Sequence, residues 1–205
     1  MPRKLLIFTR YPVAGRAKTR LIPALGAAGA AALHRRLTER TLRTADLLTG
    51  RAGVALAIHH EGGSAEQMAA WLGPHRSYCP QGAGDLGAKM TRAFTAAFGH
   101  GCRQVVLIGS DCPGLSPELL ESAFARLTDH DLVLGPACDG GYYLVGLTRS
   151  RPLLFTSRAW GTNLLLAETI VAAQKNGLTF FLLEELPDVD HPADLTYFGD
   201  YPNSE

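Results

Sequence analysis

Residues 104–113 read Gln-Val-Val-Leu-Ile-Gly-Ser-Asp-Cys-Pro, and this stretch decides the fold. Its four consecutive aliphatic residues, Val105 to Ile108, are too few for a helix and too uniformly apolar for a strand with one wet face. They predict a strand buried on both faces, as in the centre of a parallel sheet. Gly109 and Ser110 end the apolar run and place Asp111 at the carboxyl end of the strand, where ligands bind in open α/β sheets.

The carboxylate of Asp111 has two interpretations. It can hold Mg²⁺ or Mn²⁺ against a phosphate-bearing substrate, because hard cations prefer oxygen ligands and Mg²⁺ usually takes only one or two from the protein. It can instead cap the turn that leads into Pro113. The residues around it leave both interpretations open.

Composition limits the class of protein. The chain has 205 residues, 46% of them hydrophobic and 19% charged, which is typical of an ordered globular domain, and we expect a single domain over residues 1–205. A net charge of +1 argues against a nucleic-acid binder. The four cysteines form no C-x-x-C pair, so neither a zinc site nor a disulfide framework is indicated. No apolar run suits a signal peptide or a membrane span, and we expect a cytoplasmic protein.

Apolar runs and helical spacing predict the remaining elements. Their alternation favours a three-layer αβα sandwich with a mostly parallel central sheet. The predicted strands are 5–9, 53–58, 76–79, 105–108, 131–135, 142–147 and 178–183, and the predicted helices are 27–48, 65–72, 85–98, 116–127 and from 162 or 163 to 177.

A cationic loop follows the first strand, which Pro12 and Gly15 bring to an end. Arginine makes forked contacts with phosphate and lysine acts as a point charge, so this loop would suit a nucleoside di- or triphosphate. The alternative is a solvated basic loop, and the sequence is not that of a P-loop. The loop residues assigned to nucleotide binding are Arg10, Gly15, Arg16, Lys18 and Arg20, and Lys18 is also assigned a catalytic role.

A glycine-rich turn at residues 82–87 matches the G-x-G-x-x-G dinucleotide fingerprint. The segment before it contains Pro80 and too few aliphatic residues for the central first strand that the fingerprint requires, and several predicted elements already lie upstream. The turn therefore packs against a flat ligand such as a base, or it is a tight helix entry. With Asp111, the residues assigned here to nucleotide binding are Gln81, Gly84, Asp85 and Gly87.

Two later loops offer groups to a substrate. Asp139 precedes two glycines, a pattern that can present a carboxylate and backbone N–H groups to a ligand but is also typical of a plain hairpin turn. A tryptophan on the loop before the last long helix can stack on a substrate or fill a gap in the core. The substrate-binding assignments are Asp139, Gly140, Gly141, Trp160 and Thr162, with Asp139 as general base toward an acceptor hydroxyl.

A second carboxylate, Asp190, lies just before a helix that begins with proline, and we expect it just past a strand. Two carboxylates from separate strand ends, opposite a cationic loop from a third, would complete a metal–phosphate site. We therefore assign Asp111 and Asp190 to one Mg²⁺ or Mn²⁺ ion.

These motifs resemble those of the nucleotide-diphospho-sugar transferase superfamily, which has the GT-A type of fold. Residues 190–195, Asp-His-Pro-Ala-Asp-Leu, resemble the Asp-Thr-Pro-Glu-Asp-Leu ending of sugar-acid cytidylyltransferases and phospholactate guanylyltransferase. The first Asp of that ending is a metal ligand, and the resemblance carries this role over to Asp190. The strand that ends at Asp111 resembles the position of the superfamily's other metal-binding carboxylate.

The whole chain is more similar to a bacterial family of radical-SAM/selenodomain-associated or arsenosugar-biosynthesis glycosyltransferases. It departs from the sugar nucleotidylyltransferases because its first loop lacks the full Gly-x-Gly-x-Arg pattern, and His191 stands where threonine is commoner. The stretches that carry the similarity are Phe8-Thr-Arg-Tyr-Pro with Gly15 and Lys18-Thr-Arg-Leu, Gly84-Asp-Leu-Gly, Gly109-Ser-Asp-Cys-Pro, Asp139-Gly-Gly-Tyr-Tyr-Leu-Val-Gly and Asp188-Val-Asp.

The resemblance implies a transferase that depends on Mg²⁺ or Mn²⁺ and uses an activated nucleotide. It favours glycosyl transfer from a nucleotide sugar to a small-molecule acceptor. One alternative is guanylyl or cytidylyl transfer from a nucleoside triphosphate to a phosphorylated small molecule, with release of pyrophosphate. Another is a nucleotide-binding protein without turnover. The base, the sugar, the acceptor, the stereochemistry and the oligomeric state stay open.

Overall fold

Seven strands form one sheet at the centre of the chain, which a computed structural model describes over residues 2–156 and 158–199. The predicted domain, 1–205, also spans Met1, Ser157 and residues 200–205, which lie outside the described residues. The strands are β1 (Arg3–Arg10), β2 (Ala55–Glu61), β3 (Ser77–Pro80), β4 (Gln104–Ile108), β5 (Leu132–Pro136), β6 (Tyr142–Leu147) and β7 (Phe180–Leu182).

The order of the strands is β3-β2-β1-β4-β6-β5-β7, so the aliphatic strand β4 lies in the middle, as predicted. Strand β6 runs antiparallel to β4 and β5, and every other pair of neighbours is parallel. The mostly parallel sheet of the sequence prediction is therefore confirmed. The carboxyl ends of β1, β2 and β4 meet at one edge, because these three strands are adjacent and parallel.

Six helices surround the sheet within the described residues. Helix α4 begins as predicted, because the Ser116 hydroxyl accepts a hydrogen bond from Leu119 N and Pro117 occupies the first helical turn. The helices are α1 (Ile22–Ala52), α2 (Ala65–Leu72), α3 (Leu86–Gly99), α4 (Pro117–Arg126), α5 (Leu165–Lys175) and α6 (Leu195–Gly199), and 3-10 turns lie at Thr19–Leu21, Pro152–Leu154 and Pro192–Asp194.

Both faces of the sheet are covered. Alternate residues of β1 enter different cores: Leu5 and Ile7 pack with residues of α1, α2 and α4, whereas Leu6 and Phe8 pack with residues of α3 and α5. This alternation follows from the period of two along a strand. It explains why the strands read as continuous apolar runs rather than as mixed ones, and it confirms the three-layer αβα class.

Helix α1 begins earlier than its apolar periodicity indicates. Its first residues, from Ile22, are followed by Gly26 at φ 70° and ψ 166°, which are not helical values. Glycine adopts this conformation without a Cβ clash. The predicted start at residue 27 therefore marks the point after which the helix is regular.

The expectation that Asp190 follows directly on a strand is wrong. Strand β7 ends at Leu182, and Asp190 lies on an irregular segment that crosses the edge of the sheet. Pro187 and Pro192 lack the N–H that a strand ladder needs, so this segment does not extend the sheet. It forms an isolated parallel bridge between Ala137 and Leu186 and further single hydrogen bonds, such as that from Leu183 N to Leu134 O at 2.9 Å.

Among the described residues, no helix is both long enough and apolar enough to cross a membrane.

Candidate functional site

A cavity of about 440 Å³ opens at the carboxyl ends of β1, β2 and β4. Its volume lies in the range of small-molecule sites, roughly 300–1,000 Å³. The loop after β1 and the segment around Asp190 contribute the other walls. The predicted nucleotide and metal residues that line it are Arg10, Arg16, Lys18, Arg20, Gln81, Asp111 and Asp190.

Lys18 lies between the two predicted metal ligands. Its Nζ is 2.8 Å from Asp111 Oδ1 and 3.1 Å from Asp190 Oδ1, and it donates a hydrogen bond of 2.6 Å to the carbonyl oxygen of Val189. The two carboxylate oxygens therefore lie no farther apart than these two Nζ–Oδ1 distances combined. The structure brings together the two carboxylates that the sequence assigned to one ion.

The lysine side chain is only 3% exposed. Burial by itself lowers the pKa of Lys18, but the charges of Asp111 and Asp190 and the hydrogen bond to Asp190 outweigh it, and the net pKa is raised. Burial likewise raises the pKa of Asp190 by itself, but Lys18 and Arg20 outweigh it and the net pKa is lowered. The ammonium of Lys18 and the carboxylate of Asp190 are therefore both charged at neutral pH.

Two arginines of the loop, Arg10 and Arg20, are held by acidic partners and by backbone. Arg20 Nη1 lies 2.6 Å from Asp190 Oδ2. Arg10 donates to Glu61 Oε2 at 3.0 Å and to the carbonyl oxygen of Arg16 at 2.6 Å. These contacts fix cationic groups around the cavity mouth, where a polyphosphate would meet them. Gly15, with φ 79°, lies in the same loop but does not line the cavity.

The donor set at Asp111 and Asp190 suits a hard divalent cation. Asp111 Oδ1 is buried, and although it lies 2.8 Å from the ammonium of Lys18, it accepts no hydrogen bond of acceptable geometry. An unsatisfied buried oxygen is costly unless a cation or a donor supplies a partner. Within the described residues no group of three or more His, Cys, Asp and Glu side chains is arranged to hold a metal. Two protein oxygens are nevertheless enough for Mg²⁺, which keeps waters and substrate oxygens as its other ligands.

The sequence interpretation missed the buried polar residues beneath the cavity. His34 Nε2 donates to the carbonyl oxygen of Arg10 at 2.9 Å, and its Nδ1 lies 4.0 Å from Asp111 Oδ1. Burial lowers the pKa of His34, and the charges of Lys18 and Arg10 lower it further. The charge of Asp111 and the hydrogen bond to Arg10 O raise it, but the net pKa is lowered. Thr38, on the same helix, bonds Thr9 at 2.9 Å.

A sequence signal for these residues does exist. His34, Thr38 and Thr41 follow one another at helical spacing along the buried face of α1, and all three are at most 5% exposed. Polar residues on a buried helix face need partners. Their spacing indicates that α1 packs against something polar, but not that the partner is the end of β1.

Glu61 is a second residue of the cavity wall that the sequence interpretation missed. It ends β2, lines the cavity and pairs with Lys89 at 3.1 Å as well as with Arg10. Burial by itself raises the pKa of Glu61, but the hydrogen bonds and charges of Lys89 and Arg10 outweigh it, so the net pKa is lowered. Its place at a strand end parallels that of Asp111 and was available as a signal.

A second cavity, of about 240 Å³, adjoins the first. The two share Asp111 and Leu86 in their walls. Predicted substrate residues Asp139, Gly141 and Thr162 line the second cavity. A ligand that bridges both cavities would therefore pass Asp111.

The carboxylate of Asp139 has a structural partner and an acidic neighbour. Its Oδ1 accepts a hydrogen bond of 2.8 Å from Gly141 N, which closes the turn between β5 and β6. Asp188 lines the same cavity, and burial, followed by the charge of Asp139, raises the pKa of Asp188 to about 6. Gly140, on the turn, accepts a hydrogen bond from Leu166 N at 3.0 Å, which ties the turn to α5.

The glycine-rich turn lies mostly outside the main cavity. Asp85 caps α3 by accepting from Ala88 N at 2.8 Å, and Asp85 and Gly87 line a separate groove. Gly87 allows Trp160 to pack closely against α3, since a Cβ at position 87 would lie 2.8 Å from Trp160 Cζ2. Trp160 does not line either cavity at the sheet edge.

Gln81 precedes this turn, and Gly84 lies within it. Gln81 does line the main cavity, where its amide nitrogen donates to the carbonyl oxygens of Thr9 and His59 at 3.1 and 3.0 Å. Gly84 adopts φ 105° in the approach to α3 and does not line the cavity. Since β3 is an edge strand, the turn does not follow the central first strand that a dinucleotide fingerprint requires.

Comparison with protein families gives one match. Residues 42–162, more than half of the chain, match the profile of a family described as "Uncharacterized protein conserved in bacteria (DUF2064)". No curated protein sequence matches the chain.

Solved structures give further matches. A proposed nucleotide-diphospho-sugar transferase from Desulfovibrio desulfuricans G20 shares 34% sequence identity, with 100% of this chain and 90% of that chain covered, at a TM-score of 0.90. CMP:2-keto-3-deoxy-manno-octonic acid synthetase complexed with CTP shares 12% identity over 97% of both chains, at a TM-score of 0.57.

A third match is glucosyl-3-phosphoglycerate synthase from Mycobacterium tuberculosis, in complex with Mn²⁺, UDP and glucosyl-3-phosphoglycerate. It shares 12% identity over 95% of this chain and 75% of that chain, at a TM-score of 0.56. At 12% identity the second and third matches establish a common fold, the GT-A type that the motifs indicated.

Proposed function

Because the chain belongs to the bacterial family DUF2064 and is similar over its whole length to a proposed nucleotide-diphospho-sugar transferase, we propose that it is a metal-dependent glycosyltransferase that uses a nucleotide-activated sugar. The related structures include nucleotide-sugar and cytidylyl transferases, which supports transferase activity here. We also propose that the chain is related to the radical-SAM-associated glycosyltransferases. We propose further that residues 1–205 form a single domain and that the protein is cytoplasmic.

One observation carries the proposal. Asp111 and Asp190, far apart in the chain, both contact the ammonium of Lys18 at the edge of the sheet where α/β proteins bind ligands. Arg10, Arg16 and Arg20 line the same cavity. Converging carboxylates beside clustered cations are what a metal-bound diphosphate requires.

In the proposed complex, Asp111 and Asp190 hold Mg²⁺ or Mn²⁺. The bound ion would neutralise charge on the departing diphosphate. Lys18 and the loop arginines bind phosphate oxygens, and Gln81 lies on the wall where the nucleoside would rest. The buried residues His34 and Thr38 hold the carboxyl end of β1 through hydrogen bonds to Arg10 and Thr9.

The adjoining cavity would take the sugar and the acceptor. Asp139 lines this cavity. It would accept the proton of an acceptor hydroxyl as the nucleoside diphosphate leaves. The same wall contains Asp111 and Asp188, and no Lys, Arg or His is among the described residues that line this cavity. Such a wall repels an anionic acceptor, because like charges at short range are costly.

That charge pattern separates the two transferase chemistries. Nucleotidyl transfer to a phosphorylated molecule is supported by the common fold with a CTP-bound synthetase. Its acceptor, however, would bring a phosphate beside Asp139 and Asp188, the two carboxylates of this cavity that do not hold the metal. Glycosyl transfer to a neutral hydroxyl avoids this repulsion and is the function that we favour.

The test supplies each nucleoside triphosphate and each common nucleotide sugar with Mn²⁺ and follows pyrophosphate and nucleoside diphosphate separately. Release of nucleoside diphosphate that depends on a hydroxyl acceptor supports glycosyl transfer. Release of pyrophosphate that depends on a phosphorylated acceptor refutes it in favour of nucleotidyl transfer. Nucleotide binding without either product, seen as a thermal shift alone, identifies a binding protein without turnover.

A further inference from the structure

We propose that Lys18 acts as an internal counter-ion that keeps the divalent cation out of the Asp111–Asp190 pair until nucleotide phosphates draw the lysine away. The inference rests on the proposed function, because it takes this pair as the metal site. It adds that the cation and the nucleotide bind in a coupled manner and that one side chain sets the coupling.

Three protein oxygens surround the buried ammonium of Lys18, so a phosphate cannot reach it without displacing one of them. The ammonium donates to Val189 O at 2.6 Å and to Asp190 Oδ1 at 3.1 Å, and it lies 2.8 Å from Asp111 Oδ1. An ammonium has three N–H donors and no acceptor. At least one of these contacts must break before the lysine can hold a phosphate oxygen.

The same contacts stand in the way of a metal ion. A cation bound by both carboxylates would lie close to the two oxygens that the ammonium now contacts, where it would meet a positive charge. The lysine side chain is 3% exposed, so solvent screens this repulsion poorly. A metal ion alone must therefore displace the lysine without offering it a new partner.

The local charges balance in the absence of ligands. Asp111 and Asp190 face Lys18 and Arg20, with Arg20 Nη1 only 2.6 Å from Asp190 Oδ2. A divalent cation alone would leave an excess of positive charge here. A metal–nucleotide complex brings anionic phosphates as well, and these give both Lys18 and Arg20 new partners.

The backbone at Lys18 adds an independent observation. Lys18 has φ 49° and ψ 47°, and it is the one residue other than glycine with positive φ in the described part of the chain. An L-residue holds this conformation only when its surroundings compensate for the strain. The three contacts of the ammonium supply that compensation, so their loss on ligand binding would allow the loop to rearrange.

The inference has a thermodynamic form. In the wild-type protein nucleotide raises the affinity for metal, and by linkage metal raises the affinity for nucleotide by the same factor, typically about 5- to 150-fold between coupled sites. Removal of the ammonium removes part of this coupling. Lys18→Met should therefore bind metal alone more tightly and nucleotide alone more weakly, two changes of opposite sign.

The experiment measures Mn²⁺ binding without nucleotide by electron paramagnetic resonance of the free ion. We expect Lys18→Met to bind Mn²⁺ about 5- to 150-fold more tightly than wild type. Lys18→Gln, which keeps a donor for Val189 O without the charge, should behave alike if Lys18→Met folds poorly. Lys89→Met is the matched control, because Lys89 pairs with Glu61 rather than with the two aspartates.

Unchanged or weaker Mn²⁺ affinity in both Lys18 variants overturns the inference. The gain must also vanish when Asp111→Asn is added, and a gain that persists overturns it too, because the ion is then bound elsewhere. Wild-type Mn²⁺ binding with a nucleoside diphosphate present is measured in parallel. If that binding is intact and depends on Asp111, the proposed metal site stands even when the role of Lys18 fails.

Discussion

The backbone N–H of Val189 donates a 3.0 Å hydrogen bond to the carbonyl oxygen of Asp111. This bond joins the irregular segment after β7 to the residues that follow the central strand β4. Val189 itself is fully buried in a small cluster with Leu21, Leu33 and Leu37, which fixes the segment against α1 and the cationic loop. Asp190, the next residue, is thereby held beside Lys18.

The first prediction concerns the two aspartates as metal ligands. Asp111→Asn and Asp190→Asn should each abolish the gain in nucleotide affinity that Mn²⁺ produces, because an amide is a much weaker ligand for a hard cation than a carboxylate. Calorimetric titration with a nucleoside diphosphate, with and without Mn²⁺, measures this gain. Asp129→Asn, at an exposed turn after α4, should keep it. A full gain in either site variant would remove that aspartate from the metal site.

The second prediction concerns the cationic loop, which we expect to close over the phosphates. Lys18→Ala should weaken nucleotide affinity in the absence of metal by about 1.5–3 kcal/mol, the scale of a hydrogen bond to a charged group. Calorimetry at low salt is the suitable measurement, since salt screens the loop charges. Unchanged affinity in that titration would mean that Lys18 makes no contact with the phosphates.

The third prediction concerns Asp139 as general base. Asp139→Asn retains an oxygen that can accept the hydrogen bond from Gly141 N, so the turn should keep its shape. Turnover should fall about 10²–10⁴-fold, the usual contribution of general base catalysis, while donor binding stays unchanged. Release of nucleoside diphosphate and donor affinity are measured side by side. Wild-type turnover in this variant would assign the proton transfer to another group.

The fourth prediction concerns the contact between α3 and the Trp160 loop. A methyl group at Gly87 would collide with the carbonyl oxygen of Phe155 and lie 2.8 Å from Trp160 Cζ2. Gly87→Ala should therefore destabilise the protein by about 1–3 kcal/mol, as overpacking does. Gly50→Ala, on α1 with nothing within 4 Å of its Cβ, should stabilise it by up to about 1 kcal/mol. Urea unfolding distinguishes the two, and equal effects would contradict the steric argument.

The fifth prediction concerns pH. Burial lowers the pKa of His59 from 6.5 to about 4, with Lys4 and His60 adding to the effect. Between these pH values the unfolded chain binds the proton and the folded chain does not, so stability falls as the pH drops below about 6.5. Each pKa unit corresponds to about 1.4 kcal/mol, so the loss by pH 4.5 amounts to roughly 2–3 kcal/mol.

His59→Gln should remove that part of the acid sensitivity. Urea unfolding at pH 7 and pH 4.5 gives the loss of stability for each protein. The exposed His75 provides the control, and His75→Gln should lose as much stability as wild type. An equal loss in all three proteins would show that His59 does not contribute.

Local sequence patterns were enough for most of the architecture. Strand β4 and helix α4 were predictable because consecutive aliphatic residues and a Ser-Pro helix start reflect local geometry. The same holds for the placement of Asp111, since the end of an apolar run marks the end of a strand. The cationic loop was also visible, because Pro12 and Gly15 cannot continue β1.

The site required contacts that no local pattern contains. Asp190 was expected at a strand end, yet it reaches the cavity through the bond of Val189 to Asp111 and the packing of Val189 on α1. The packing of α1 and β2 against β1 brings His34 and Glu61 to the site, and no local pattern gives that packing.

The sequence by itself determined the order of the elements, the central strand and the types of charged residue available, because periodicity and turn residues act over a few positions. The tertiary structure alone decided that Lys18 lies between Asp111 and Asp190. That arrangement depends on hydrogen bonds and buried contacts between segments far apart in the chain, and on a balance of burial against charge that exists only once the chain has folded.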